Sequence, residues 1–235
     1  MDQKKLLNMQ LQEINLEYQK ILNTENVADI LHFTKNLLST SDPKVIEYHF
    51  SLLKNRTNQK LFQHLRAAFA KRGLLVEDFL VKKTREATDK QLRADALQLL
   101  GNIRSPKARE IALDFISHAD SNDRYRGCIV LGWVGGVSEI EPLSKILLND
   151  PVAINRGWAA TALRQLWFNN KKLSTLLLPY IKQAIFEEKD EQALSLIIIS
   201  AQSILNKKFG LVEDVEEREI TGDIKKAKEQ ALKFL

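Results

Sequence analysis

The sequence predicts an all-α protein built from repeated helix pairs, and three observations lead there. Gly and Pro are scarce, at 9 and 5 of 235 residues. Apolar residues recur at three- and four-residue spacing along nearly the whole chain, and the two-residue alternation of half-buried strands is almost absent. Similar segments also return about every 31 residues, a period typical of stacked helical repeats. We expect an α-solenoid of about six antiparallel helix pairs, forming one domain over residues 1–235.

The ends of the predicted helices are marked by residues that suit helix termini. Asp42, Ser105 and Asp150 each precede a proline, so each can cap a first turn that the proline opens. Gly73 follows Lys71 and Arg72, as at the carboxyl end of a helix. The pattern predicts thirteen helices, near residues 3–22, 26–38, 43–54, 58–72, 76–86, 89–103, 106–118, 122–135, 138–148, 151–168, 171–188, 190–207 and 223–234.

Three segments align as internal repeats without gaps: LRADALQLLGNI (92–103), DRYRGCIVLGWVG (123–135) and NRGWAATALRQL (155–166). Each has an arginine near its start, a small residue three positions later, and a leucine four positions after that. The three sets are Arg93, Ala96 and Leu100; Arg124, Gly127 and Leu131; and Arg156, Ala159 and Leu163.

These segments resemble HEAT repeats in their short bacterial form, which is related to the repeats of phycobilin lyases. The resemblance is clearest over residues 89–168, and it implies a right-handed α-solenoid that the helix near 223–234 caps at its end. It also implies a ladder in which Arg93, Arg124 and Arg156 tie adjacent repeats, each with an acidic residue just before it: Asp89, Asp120 or Asp123, and Asp150. Phosphate binding by these arginines is the alternative.

The glycine cluster YRGCIVLGWVGG (125–136) raises the question of a nucleotide site, because Gly127 and Gly132 are spaced as in a phosphate-binding loop. The lysine and hydroxyl residue that should follow are instead Trp133 and Val134. We interpret Gly127 as a small-residue slot between helices, and Gly135-Gly136 as a helix end with a left-handed turn.

A basic segment, residues 53–90, stands out in a chain of formal net charge +5, since it holds ten basic and four acidic residues. Such a segment can attract an acidic protein patch or nucleic acid, or it can be a solvated helix face. Lys82, Lys83 and Arg85 are its candidate contact residues.

We predict no catalytic, cofactor-binding or metal-binding residues. The four histidines, His32, His49, His64 and His118, form no H-x-x-x-H pattern, and Cys128 lies inside a repeat core. The amino-terminal stretch lacks the features of a signal peptide, and no apolar run is long enough to cross a bilayer. With a single cysteine, these features predict a cytoplasmic protein that does not contact membranes.

Aromatic and arginine residues on the second helices of the repeats are the candidate partner-binding residues, because these side chains most often anchor protein interfaces. For each tryptophan, core packing is the competing interpretation. The substitution of Arg164 at a repeat glycine predicts that it projects from the same face as Trp158. The set is Tyr125, Arg126, Trp133, Trp158, Arg164 and Trp167.

The predicted function is that of a non-catalytic scaffold for one protein partner. The chain is similar in size and repeat content to bacterial immunity proteins, including those of contact-dependent growth inhibition, which implies occlusion of a toxin domain with an acidic patch. It also resembles HEAT-like alkylpurine DNA glycosylases in RGWAATALRQLW (156–167), although it lacks their Trp-Asp pair. A chromophore lyase is the third alternative, without a matching Cys or His arrangement.

Overall fold

The computed structural model describes residues 3–214, 217 and 219–235. Each of the thirteen predicted helices is present there, with ends no more than three residues from their predicted places. The all-α prediction is confirmed. The helices are α1 (Gln3–Ile21), α2 (Val27–Leu38), α3 (Pro43–Leu52), α4 (Gln59–Ala70), α5 (Glu77–Glu86), α6 (Lys90–Asn102), α7 (Ala108–Phe115), α8 (Ser121–Val134), α9 (Ile140–Asn149), α10 (Ala153–Asn169), α11 (Ser174–Glu187), α12 (Glu191–Leu205) and α13 (Ile224–Phe234).

The helices pack as consecutive pairs within two compact units, Met1–Ser105 and Pro106–Leu235. In the first unit the pairs are α1/α2, α3/α4 and α5/α6, and α4 contacts both α2 and α6. In the second unit they are α7/α8, α9/α10 and α11/α12, and α10 packs between α8 and α12. Within each unit the even-numbered helices contact one another from pair to pair, which is the arrangement of an α-solenoid, as predicted. The single domain over 1–235 stays a prediction.

The second unit ends in a feature that the sequence did not predict, a two-stranded antiparallel hairpin of β1 (Val212–Asp214) and β2 (Glu219–Thr221). The side-chain amide of Gln202 in α12 holds its base, donating to the Leu211 carbonyl and accepting from the Phe209 and Leu211 N–H groups. Beyond the hairpin, α13 packs on α11 and α12, which is where the predicted capping helix should lie.

The predicted helix caps are only partly confirmed. Asp42 caps α3 as expected, accepting a 2.8 Å hydrogen bond from the Lys44 N–H. The prediction for Ser105 is wrong, because α7 begins later, at Ala108, and the Ser105 hydroxyl donates to Glu77 instead. Asp150 is not the N-cap of α10, which is Val152, but the C-cap of α9. It accepts from the Val152 N–H before α10 begins, and its carboxylate binds an arginine of the preceding pair.

The glycines of α8 mark close helix contacts. A Cβ atom on Gly127 would lie 2.6 Å from Ile116 Cγ2, which confirms the predicted small-residue slot. A Cβ atom on Gly132 would lie 3.1 Å from the Ala162 Cα atom in α10. The predicted left-handed turn at Gly135-Gly136 is wrong, since their φ angles are −79° and −145°. Gly135 is needed because a Cβ would meet the Leu131 carbonyl oxygen at 2.5 Å.

An aromatic cluster fills the core of the first unit. The rings of Phe50, Phe69 and Phe79 meet edge-on or tilted, with centroids 5.4 to 6.1 Å apart. His49 is fully buried among them, with its ring 5.0 Å from that of Phe69. Its Nε2 donates a 3.0 Å hydrogen bond to the Leu65 carbonyl oxygen. The imidazole therefore packs as a neutral core group.

Candidate functional site

The second unit is braced by a buried ion pair between consecutive helix pairs. Arg124 of α8 donates from Nε and Nη2 to the two carboxylate oxygens of Asp150, at 2.6 and 2.9 Å. Its remaining nitrogen, Nη1, donates to the carbonyl oxygens of His118 and Ala119. Both charged side chains are buried, so this fork-to-fork pair fixes the α7/α8 turn against the start of α10.

The same arrangement returns one repeat later. Arg156 of α10 donates from Nε and Nη2 to Glu188 at 2.6 and 2.7 Å, and from Nη1 to the Asp150 carbonyl oxygen. The predicted tie between adjacent repeats is therefore confirmed for Arg124 and Arg156. The predicted acidic residues just before each arginine are not the partners, because each carboxylate comes from the following repeat. For Arg93 the ladder stays a prediction, and Glu188 is a partner that the sequence analysis missed.

The carboxylates of this ladder are held ionised. Burial alone would raise the pKa of Asp150, but the hydrogen bonds from Arg124 and from the Val152 N–H outweigh it, so the pKa lies below its ordinary value. Glu188 follows the same pattern, since burial is overcome by the bonds from Arg156 and from the Asp190 N–H. The ladder is therefore a fixed electrostatic frame, and it leaves α8 and α10 in a defined register.

On this frame, α8 and α10 form a cleft that contains two of the predicted binding residues. The Tyr125 and Trp158 rings meet edge to face, with centroids 5.3 Å apart and planes at 85°. The Arg126 guanidinium carbon lies 5.1 Å from the Tyr125 ring centroid. The cleft has a volume of 290 Å³, and its lining residues are Ser121, Asn122, Tyr125, Val152, Ile154, Asn155 and Trp158.

The polar side chains that line this cleft differ in whether they form hydrogen bonds within the protein. The Asn155 side-chain amide already has partners within the protein, because it donates hydrogen bonds to the Ser121 carbonyl oxygen and to Asp150. By contrast, within the described part of the chain the Asn122 amide, the Ser121 hydroxyl and the Tyr125 hydroxyl make no side-chain hydrogen bond. The sequence analysis missed Asn122, although its position one helical turn before Tyr125 places both on one face.

Three other predicted residues lie elsewhere. Trp133, at the far end of α8, is 41% exposed. The Trp167 ring is pinned by a hydrogen bond from its Nε1 to Ser174, and the Lys171 ammonium lies 3.2 Å from its centroid. Arg164 does not share the Trp158 face, so that expectation is wrong. Six residues place it about 120° around the helix from Trp158, and it forms a two-bond pair with Glu213 of the hairpin.

At least five of the ten cations in the basic segment 53–90 pair with carboxylates inside the first unit. Lys82 pairs with Glu86 in the next turn, and Lys83 donates to Glu47 at 2.8 Å. Arg85 is exposed on α5, beside these two pairs. Four more cations of this segment also have partners in this unit: Lys54 pairs with Asp89, Arg56 with Asp95 and Lys60 with Glu25, and Arg72 donates to main-chain carbonyls.

Cys128 has the environment of a core residue. It is fully buried in α8, and this burial raises the pKa of its thiol to about 12. A thiol is a poor nucleophile in that state, because the thiolate is the reactive form. Among the described residues there is no group of three or more His, Cys, Asp or Glu side chains placed to hold a metal ion.

No helix in the described part of the chain is long and apolar enough to cross a membrane. No curated protein sequence matches the chain. Comparison with protein families matches residues 77–164 to the model of HEAT repeats. The matched stretch contains the Arg124–Asp150 pair and the Tyr125–Trp158 cleft, and it overlaps most of the predicted repeat region. Residues 77–164 are therefore similar to HEAT repeats.

Proposed function

We propose that this protein is a non-catalytic scaffold that binds a protein partner through the cleft between α8 and α10. The observation that carries the proposal is the Tyr125–Trp158 pair, two large aromatic side chains that are only partly buried on a braced frame. Tyr and Trp dominate interface energetics because they contribute a large area at little conformational cost. HEAT repeats are a common platform for such contacts.

The cleft favours protein over nucleic acid as the partner. Its seven lining residues include no lysine or arginine, and nucleic-acid binding draws most of its affinity from cations against phosphates. The basic segment supports that alternative only weakly, since at least five of its ten cations are paired with carboxylates within the first unit. Attraction to an acidic patch on a partner would depend mainly on Arg85, with Lys82 and Lys83 in weaker, partly exposed pairs.

We further propose that the partner is a toxin domain in the cytoplasm of the same bacterial cell, so that the protein acts as an immunity protein. The buried Arg124–Asp150 pair and the partly buried Arg156–Glu188 pair would hold the cleft in one shape before binding, and such preorganisation suits tight one-to-one inhibition. Inhibition would come from coverage of the toxin's active site. Trp133, Arg126, Arg164 and Trp167 remain proposed contacts at the margins of this surface.

The test is a complex reconstituted from purified components. The partner would be found by affinity capture from the source cells with nuclease treatment, then produced on its own. We expect a one-to-one complex by calorimetry, and we expect Trp158→Ala to weaken it about a hundredfold or more, as for an interface hot spot. Phe186→Ala, which truncates an exposed aromatic side chain of α11 outside the proposed surface, is the matched control, and melting curves would show that both variants fold.

Two outcomes would change this assignment. If Trp158→Ala binds the partner as tightly as the unchanged protein, the cleft is not the contact surface. If no protein forms a stoichiometric complex, and salt-sensitive binding to duplex DNA is lost on replacing Lys82, Lys83 and Arg85, the nucleic-acid alternative takes precedence. Relief of the partner's toxicity on co-expression would support the immunity role specifically.

A further inference from the structure

The size of the α8–α10 cleft limits what it can hold. Its volume of 290 Å³ lies just below the range of about 300 to 1,000 Å³ that is typical of pockets for whole small molecules. One or two amino-acid side chains fit such a space. Its lining includes the Tyr125 and Trp158 rings and the Val152 and Ile154 side chains, and this apolar part of the lining favours an apolar side chain as the occupant.

The rim of the cleft indicates which groups accompany that side chain. The Asn122 side-chain amide forms no hydrogen bond to another described residue. The Ser121 and Tyr125 hydroxyls also form none. A carboxamide offers both a donor and an acceptor, the same pair of groups that a peptide bond carries. The lining residues carry no charge, so the rim complements an uncharged stretch of main chain.

The conformation of the occupant follows from its free main-chain groups. In a helix the N–H and C=O groups bond to one another, except at the ends, and cannot also serve a rim amide. In an extended segment the main-chain N–H and C=O groups of every second residue are free to bond to the cleft, and every second side chain points toward it. This arrangement would place one apolar side chain between the rings while the neighbouring peptide group meets Asn122.

We propose that the cleft binds an extended segment of the partner protein, with one bulky apolar side chain inserted beside Trp158 and its main chain hydrogen-bonded to Asn122. This inference rests on the proposed function and names the form of the ligand at the same surface. Asn155 has no such role, because its amide already serves Asp150 and Ser121.

The probe is a phage-displayed library of linear dodecapeptides, selected on the full chain and counter-selected on Trp158→Ala. We expect the recovered peptides to share one position occupied by Leu, Met, Ile or Phe, without a common charge. The best peptide should lose about fivefold or more in affinity on Asn122→Ala, the effect of one neutral hydrogen bond. Asn149→Ala, an exposed asparagine of α9, is the matched control.

A second measurement isolates the main-chain contact. Methylation of a single backbone nitrogen of the peptide, scanned one residue at a time, removes one donor without altering any side chain. We expect methylation at one position next to the apolar anchor to lower the affinity of the peptide about tenfold or more, and methylation four residues away to change it little. In the Asn122→Ala variant the loss of affinity at that position should be smaller. If no position responds, or if the selected peptides are helical when bound, the proposal is wrong.

The two failures are distinguishable. If the natural partner needs Trp158 but its binding surface is a helix, the proposed function stands and the extended-segment inference falls. If the peptides bind as inferred but no natural partner needs Trp158, the cleft is a peptide site with a different role, and the scaffold assignment at this surface falls.

Discussion

Arg124 and Asp150 lie 26 residues apart and share two parallel hydrogen bonds, of 2.6 and 2.9 Å. Arg124 lies in the first turn of α8, the second helix of one pair, and Asp150 lies just before α10, the second helix of the next pair. Asp150 also orients Val152 and Asn155 at that same start. One carboxylate thus couples the position of α8 to that of α10, the two helices whose side chains form the cleft.

Loss of this pair should cost much more stability than loss of a surface pair. We expect Arg124→Ala to lower the free energy of unfolding by about 3 kcal/mol, because it leaves the buried Asp150 carboxylate without its main partner. Urea denaturation at neutral pH measures this. Lys145→Ala is the control, since Lys145 and Glu141 form an exposed pair worth about 0.5 kcal/mol or less. Equal losses in the two variants would show that the ladder is not a structural frame.

Contact between α8 and α10 also depends on a missing side chain. A methyl group on Gly132 would lie 3.1 Å from the Ala162 Cα atom, and backbone cannot move aside as a flexible side chain can. We expect Gly132→Ala to destabilise the protein by about 1 to 3 kcal/mol, measured by thermal melting. In Gly136→Ala the nearest atom would be Glu139 Oε2 at 3.9 Å, so this control should change stability far less. A Gly132→Ala variant as stable as the control would rule out the tight contact.

The helices and the cleft differ in how well the sequence predicts them. Amphipathic periodicity extends over ten or more residues, so all thirteen helices can be located from local pattern alone. The repeat spacing also places Tyr125 and Trp158 on the second helices of neighbouring repeats, where their rings meet, and their role in binding stays a proposal. Asn122 was missed because asparagine in a first helical turn is common, and only the folded cleft shows that its amide has no internal partner.

The hairpin could not be predicted, for a different reason. Its strands are three residues long, and β1 is Val-Glu-Asp, which carries almost no strand signal. The hydrogen bonds that attach the hairpin to the helices come from Gln202 in α12 and Arg164 in α10, and the tertiary fold sets these contacts. The same long-range contact explains Arg164, whose position in the repeat predicts an exposed side chain but which in fact binds Glu213.

His49 should make the protein less stable in acid. Its burial, with the nearby Arg72 charge, lowers its pKa from 6.5 to about 3. The unfolded chain therefore takes up the proton first. This contribution to stability is complete above pH 6.5 and is lost as pH falls toward 3, at up to about 1.4 kcal/mol per pH unit.

The matching experiment compares urea unfolding at pH 7.0, 5.5 and 4.5. We expect His49→Gln, which keeps a donor for the Leu65 carbonyl oxygen, to lose less stability between pH 7.0 and 4.5 than the unchanged protein does. Carboxylates such as Asp150 and Glu188 also favour the folded state less as pH falls through their lowered pKa values. They are common to both proteins, so only the difference reports on His49. Parallel curves would contradict the prediction.

The Cys128 thiol should react only when the second unit opens. Its burial and raised pKa of about 12 leave almost no thiolate at neutral pH. We expect no measurable reaction with a disulfide reagent over minutes in buffer, and complete reaction within seconds in concentrated urea. Arg124→Ala should increase the reaction rate of the folded protein by the factor that corresponds to its loss in free energy of unfolding. Rapid reaction of the unchanged folded protein would mean that α8 is far more open than its packing indicates.

The Gln202 side chain should decide whether the hairpin stays in place. Gln202→Ala removes hydrogen bonds from the Phe209 N–H, the Leu211 N–H and the Leu211 carbonyl oxygen, and both residues are buried. Unsatisfied buried main-chain groups cost about 1 to 3 kcal/mol each, so the base of the hairpin should open locally before the helices unfold. A glutamate-specific protease, which can cut after Glu213, Glu217 and Glu219, should then cleave this variant about tenfold faster or more. Gln192→Ala, an exposed position on the same helix, is the control, and equal cleavage rates would show that the clamp does not hold the hairpin.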